Sequence, residues 1–378
     1  MQTQRIPQLD GLRGLAISMV ILWHYVILPL RDQGSTSLHY LIVLGRLTWS
    51  GVDLFFVLSG FLIGGILLDQ SASPDRFRTF YVRRAYRILP IYLVVCIAVE
   101  LSLFASQSSG RSMPWYSYLT FTQNLWMATH NTFVPLLSYT WSLAVEEQFY
   151  LTLPWMIFYL SRKALINALL FTVLTLPVLR FLLFIVGFGD VAMHVLSPAR
   201  ADTLALGVLA AMIVRYQPAL ELVVRAKNYF RSAALIPFIV LAIATLRDWR
   251  MGTPYMGLYG YSAVALCYFC LLLELVIFPN TKLAAGFRIG TLRWLGTISY
   301  GAYLLHQIIN VVCNRLITSQ HPGLLWILIS IASATITTLG LAHLSWKHFE
   351  SKLVSHARRF TYNRRPVPSF AIPLPSES

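Results

Sequence analysis

Runs of 16 to 24 apolar residues recur along the chain, separated by short polar or Pro- and Gly-bearing breaks. An apolar run of that length matches the roughly 20 residues a helix needs to cross a bilayer core. The pattern predicts ten spans, near 9–30, 49–68, 86–106, 140–160, 165–186, 202–214, 233–246, 258–278, 294–317 and 323–346. The sixth and seventh are short for a crossing. The expected fold is therefore all-α: a polytopic membrane helix bundle of about ten transmembrane helices. A transmembrane domain would occupy 1–350, followed by a basic and then Pro-rich tail, 351–378, expected to be disordered.

Composition agrees. The 378 residues are 57% hydrophobic and 12% charged, with mean hydropathy +0.63, well below the roughly one-quarter charge of soluble domains. A net charge of +15 would suggest nucleic acid in a soluble chain, but no nucleic-acid motif accompanies it and topology accounts for it. With both termini cytoplasmic, 21 of the 30 Lys and Arg fall on the inner connections and tail, six on the outer ones and three within spans. That bias is the positive-inside rule. The basic part of the tail would meet anionic membrane lipid.

The four cysteines, Cys96, Cys267, Cys270 and Cys313, lie in apolar runs and read as buried thiols, not as a metal or redox site; no metal is expected. The first run lacks a basic leader and a small-residue cleavage site, and so reads as a retained span.

Ionisable residues inside spans are costly and point to function. Arg13 and His24, eleven residues apart, return to nearly one helix face roughly 16 Å apart along the axis. The second span opens Gly51-Val52-Asp53-Leu54-Phe55-Phe56 and carries Ser59 further down. On the inner side, Arg83, Arg84 and Arg87 precede Pro90 and suit a phosphate or pyrophosphate. The fourth span begins Trp141-Ser142 and places Glu146 and Glu147 within the membrane. In the ninth, Ser299, Tyr303 and His306 share a face, and Arg200 and Asp202 form a charge pair at the start of the sixth. The outer connection 107–139, with Trp115, Tyr116, Tyr118 and Trp126, suits a helix at the interface and is a candidate acceptor-binding flap. A cationic inner site and an outer acid/base cluster, joined along the first span, would fit a coenzyme A ester.

These motifs together resemble the acyltransferase-3 family of integral membrane O-acyltransferases: Leu9-Asp10-Gly11-Leu12-Arg13-Gly14 followed by His24, Gly51 to Phe61, Arg83-Arg84 with Arg87 and Pro90, Trp141 to Tyr150, and Ser299 to His306. The resemblance runs over about residues 5–350. It implies an enzyme that moves an acyl group, commonly acetyl, from cytoplasmic acyl-CoA to a hydroxyl of a glycan or small glycoside, in a bacterial-type plasma (inner) membrane. By position it implies Arg13, Arg83, Arg84 and Arg87 for the donor and His24 for catalysis, as general base or acyl-carrying nucleophile. Glu146, Glu147 and Asp53 would support His24, with Ser59, Trp141, Ser142, Asp202, Tyr303 and His306 in supporting or substrate positions. Many members carry a further extracytoplasmic esterase-like domain. This chain stops after the tenth span and a short tail, so a two-step relay within one polypeptide is not expected. The rival class is a transporter or flippase whose charges line a path, but no internal repeats or broken-helix pairs are visible.

Overall fold

The computed structural model describes residues 6–32, 39–105, 113–133, 136–249, 253–319 and 323–362. The described residues form helices joined by short turns, with no strand among them. Eight helices are long and apolar enough to cross a membrane: α1 (Pro7–Leu30), α2 (Arg46–Asp69), α3 (Arg76–Phe104), then α5 (Arg162–Ile185), α6 (Asp190–Arg215), α7 (Lys227–Leu246), α8 (Met256–Ile277) and α10 (Leu324–Ala357). Two more are of similar length, α4 (Trp141–Tyr159) and α9 (Gly290–Cys313). These two fall short in apolarity because they carry Glu146, Glu147 and Gln148, and Arg293, His306, Gln307 and Asn310. Both of these helices bear polar motifs, as do α1, α2 and α3, which stay apolar enough to cross.

The expected boundaries shift in three places. The third helix starts at Arg76, ten residues before the expected 86, so Arg83, Arg84 and Arg87 lie within a continuous helix and not at its entrance. The short sixth and seventh spans lengthen to Ser197–Arg215, preceded by the short helix Asp190–Val195, and to Lys227–Leu246. The first part of the expected disordered tail, Ser351–Ala357, is helical; residues 363–378 lie outside the described residues. Of the 107–139 connection, 106–112 and 134–135 are likewise outside. The rest holds two short helices, Tyr116–Leu119 and Gln123–His130, with Trp115 and Tyr116 exposed and Tyr118 buried.

Burial sorts the helices. α6 and α2 bury 72% and 67% of their most apolar windows, whereas α5 and α7 each bury 11%. Phe171, Leu174, Ile236 and Ile239 point outward from α5 and α7, as expected of helices facing lipid. Glycine brings the inner helices together: a Cβ on Gly60 would fall 2.1 Å from Leu204 O, and one on Gly207 2.2 Å from Val57 O. Without a hydrophobic drive between helices in lipid, such close backbone packing is what holds α2 to α6. α1 meets α9 in the same way, with Gly296 seated on Asp10 O.

The glycine contacts predict that Gly207→Leu yields no monodisperse protein on size exclusion in detergent, or a much lower unfolding temperature. Gly340→Leu, at a position with nothing within 4 Å, should leave both unchanged.

Candidate active site

A cavity of about 300 Å³ lies among α1, α2, α3, α4 and α9. At one end stand Arg13 from α1 and Arg84 and Arg87 from α3. Arg84 and Arg87 are three apart and therefore share a face of α3. Among the described residues no carboxylate reaches ion-pair distance of these three arginines. Asp10, Glu146, Glu147 and Glu350 are near enough to act on them only at longer range. Arg83 turns away from the cavity: its Nε donates to Phe360 O at 2.7 Å.

The middle of the wall is a hydrogen-bonded trio. Ser59 Oγ donates to Glu146 Oε1 at 2.6 Å, and Tyr150 OH donates to Ser59 at 3.1 Å. The Arg84 guanidinium lies 5.7 Å from the centre of the Tyr150 ring, so the trio borders the arginine end. Val52, Phe55, Leu58 and Leu62 make the rest of this stretch apolar.

The far end belongs to Ser142 and Tyr303, while Ser299, one turn beyond the Gly296 that packs on Asp10 and Gly14, lines the cavity nearer Arg13. Ser142 lies two helical turns from Tyr150 on α4, about 12 Å along the axis. Tyr303 OH donates to Tyr139 O at 2.7 Å and shares a 2.5 Å bond with Ser142. Ser142 Oγ also reaches Tyr139 O, at 3.3 Å, so either hydroxyl can donate in that second bond.

The histidines lie behind Tyr303. His306 is fully buried, with its ring centre 5.5 Å from Tyr303, 4.9 Å from Tyr139 and 4.9 Å from His24. His24 Nδ1 lies 2.9 Å from Val20 O, and His306 Nδ1 lies 2.6 Å from Tyr303 O. A carbonyl only accepts, so both Nδ1 atoms carry the proton and both Nε2 atoms are bare lone pairs. His306 Nε2 is buried with no hydrogen-bond partner among the described residues. His24 sits in a π turn, Trp23–Ile27, a distortion frequent at functional sites. The tautomer of His24 is thus fixed by its own helix and not by a carboxylate. Glu146 lines the cavity towards its arginine end, and Glu147 lies outside the lining, within electrostatic reach of Arg84.

The expected outer cluster divides further. Asp53, fully buried, pairs with Arg200, whose guanidinium lies 4.3 Å from the centre of the Tyr261 ring. Asp202 pairs not with Arg200 but with Arg180, at 2.9 Å, and Arg180 also donates to Gly257 O and Ser262. On an α-helix, residues two apart do not face each other, which is why Arg200 and Asp202 find separate partners. Trp141 stands between this network and the cavity, 4.6 Å from His194 and 5.9 Å from Phe56, centre to centre. Motif reading passed over Arg180, Tyr139, Tyr150 and Glu350 as site residues. Tyr150 carried a usable signal, its four-residue spacing from Glu146; the others depend on which helices meet.

A cavity with unpaired guanidiniums at one end and bare imidazole nitrogens behind the other can hold an elongated anionic molecule and take a proton near its far end. That layout and the helical membrane fold define a membrane acyltransferase domain. A family model described as an acyltransferase domain matches residues 6–343, and the chain belongs to that family, acyltransferase-3. It is similar to the peptidoglycan O-acetyltransferase OatA of Listeria monocytogenes, 27% identical over 373 residues, covering 92% of this chain and 56% of that one. It is similar also to the putative peptidoglycan O-acetyltransferase YrhL of Bacillus subtilis, 28% identical over 390 residues, covering 95% and 56%. The chain thus spans a little over half the length of these relatives. No solved structure matches it.

The buried pairs generate a stability prediction. Asp53→Ala leaves Arg200 uncompensated and should cost about 3–5 kcal/mol, while Asp53→Leu with Arg200→Met should recover most of that. Unfolding temperatures in detergent for the single and double variants check it.

Proposed function

We propose that the chain is a membrane O-acyltransferase that moves an acyl group, acetyl in the first instance, from cytoplasmic acyl-CoA to a hydroxyl of a glycan or glycoside at a bacterial inner membrane. The observation that carries the reading is the arginine end of the cavity, where Arg13, Arg84 and Arg87 gather with no carboxylate in contact among the described residues. Like charges gathered in a poorly solvated wall need an anion, and a pyrophosphate offers two.

In this reading both termini are cytoplasmic, so the arginines face the cytoplasm and the histidines the far side. Arg13, Arg84 and Arg87 hold the pyrophosphate of the donor. The apolar stretch past Phe55 and Leu58 takes its extended arm, and Ser142 and Tyr303 mark where the arm ends. Bound acyl-CoA supplies an activated thioester there. His24 Nε2 accepts the proton of the acceptor hydroxyl as its oxygen forms the new bond to the acyl carbon; the carbon–sulfur bond breaks, and His24 returns the proton to the departing sulfur. Alternatively His24 Nε2 itself accepts the acyl group before the hydroxyl does. His306 holds the His24 ring from one side. Ser59, Glu146 and Tyr150 keep the wall between the two ends polar at one point, Glu147 lies within electrostatic reach of Arg84, and Asp53, Asp202 and Trp141 position the helices around it.

The acceptor follows from the relatives by proposal only: both are named for peptidoglycan O-acetylation, whole or putative, and a cell-envelope glycan is the first acceptor to try. The exposed Trp115 and Tyr116 would receive it as an acceptor-binding flap.

The test is thiol release from radiolabelled acetyl-CoA by purified protein in vesicles, with peptidoglycan fragments as acceptor. Wild type should release thiol and label the glycan. His24→Ala should stay folded and lose at least about a hundred-fold in rate, and Arg87→Ala should raise the donor KM. Transport of acetyl-CoA or glycan without thiol release, or full activity in His24→Ala, would overturn the assignment. Hydroxylamine-labile label on His24 without acceptor would select the covalent route.

A further inference from the structure

Beyond the last long helix the chain turns back across α3. Three successive main-chain bonds, from Arg358, Arg359 and Phe360 to Ser355, His356 and Ala357, end the helix. Residues 360–362 then lie along the first turns of α3. Arg83 Nε donates to Phe360 O, Thr79 Oγ1 to Thr361 O at 3.4 Å, and Tyr86 packs on His356 and Phe360. The Arg83 guanidinium lies 5.1 Å from the centre of the Tyr362 ring. This strap falls after residue 343, where the family match ends.

The strap abuts the donor cavity. Arg83 is the neighbour of cavity-lining Arg84, their Cα atoms about 3.8 Å apart, and Tyr362 lies within electrostatic reach of both guanidiniums. Among the described residues the two terminal nitrogens of Arg83 have no partner, since only Nε is engaged. Burial pushes the Tyr362 phenol up from its ordinary range, so the residue offers a neutral half-buried ring beside a free cationic fork. Arg358 and Arg359, both exposed on the strap, add positive charge. A ligand that satisfies such a place must carry an anion and a flat π-system together.

We propose that Arg83 and Tyr362 form a subsite for the adenine nucleotide head of the donor, the base stacking on Tyr362 and the ribose phosphate on Arg83. The inference rests on the acyl-CoA reading and adds that the strap, not the cavity alone, sets how tightly the whole coenzyme binds. Arg13, Arg84 and Arg87 would hold the pyrophosphate one step further in.

Titration calorimetry of the full chain in detergent with two probes, CoA and 4′-phosphopantetheine, which lacks the nucleotide, tests it. Tyr362→Ala should weaken CoA about ten-fold relative to 4′-phosphopantetheine, within what loss of one base–aromatic stack costs, and Tyr362→Phe should keep the wild-type ratio. An unchanged ratio in Tyr362→Ala, or equal loss of both ligands, would overturn the subsite. If Arg87→Ala weakens both probes while Tyr362→Ala moves neither, the donor reading stands and the strap assignment falls. If wild type binds neither probe, both fall.

Discussion

Repulsion among Arg13, Arg84 and Arg87 is the constraint to which the rest of the molecule answers. Three guanidiniums on one cavity wall, without a carboxylate in contact among the described residues, are costly in a helix bundle and persist only if the helices that carry them are held together by something else. Here that support is main-chain proximity. Gly296 lets α9 press on α1, and Gly60 and Gly207 lock α2 to α6. The energy that fixes the arginines is spread over contacts that have no charge at all.

The other buried charges behave in the opposite way. Asp53 with Arg200 and Asp202 with Arg180 are paired at contact distance and backed by carbonyls, a serine and aromatic faces. Such paired ions suit a rigid framework, since separating them exposes each to an apolar surrounding. The bundle therefore holds two kinds of buried charge: ion pairs that brace one flank, of which Asp202–Arg180 is fully engaged while Asp53 Oδ2 and Arg200 Nε and Nη1 have no hydrogen-bond partner among the described residues, and an arginine cluster that faces a cavity. Between them the Ser59–Glu146–Tyr150 trio is hydrogen-bonded within itself.

Much of this was legible from the residues. Apolar periodicity gave the helices because hydrocarbon thickness dictates their length, and the Arg, Glu and His residues stood out because charge within such runs is rare. What escaped was partnership. Depth along the membrane grouped His24, Glu146, Asp53 and Asp202, yet depth says nothing of azimuth, and the helices place these residues on different neighbours. Arg83 and Arg87, four apart, looked like one face; Arg84 and Arg87 are the pair that meets the cavity because α3 begins ten residues early and its register is set by Phe80, Ile88 and Tyr92, all buried. Tyr139 lies in a connection, and its bond to Leu304 O depends on how that connection folds over α9.

The π turn at Trp23–Ile27 gives α1 a seam. Below it the helix answers to α9 through Gly14, seated on Leu292 O; within it Tyr25 donates to His306 O and accepts from Thr338 of α10. One surplus residue in the turn uncouples the azimuths of these two segments, so the direction of the imidazole is set independently of the guanidiniums beneath it.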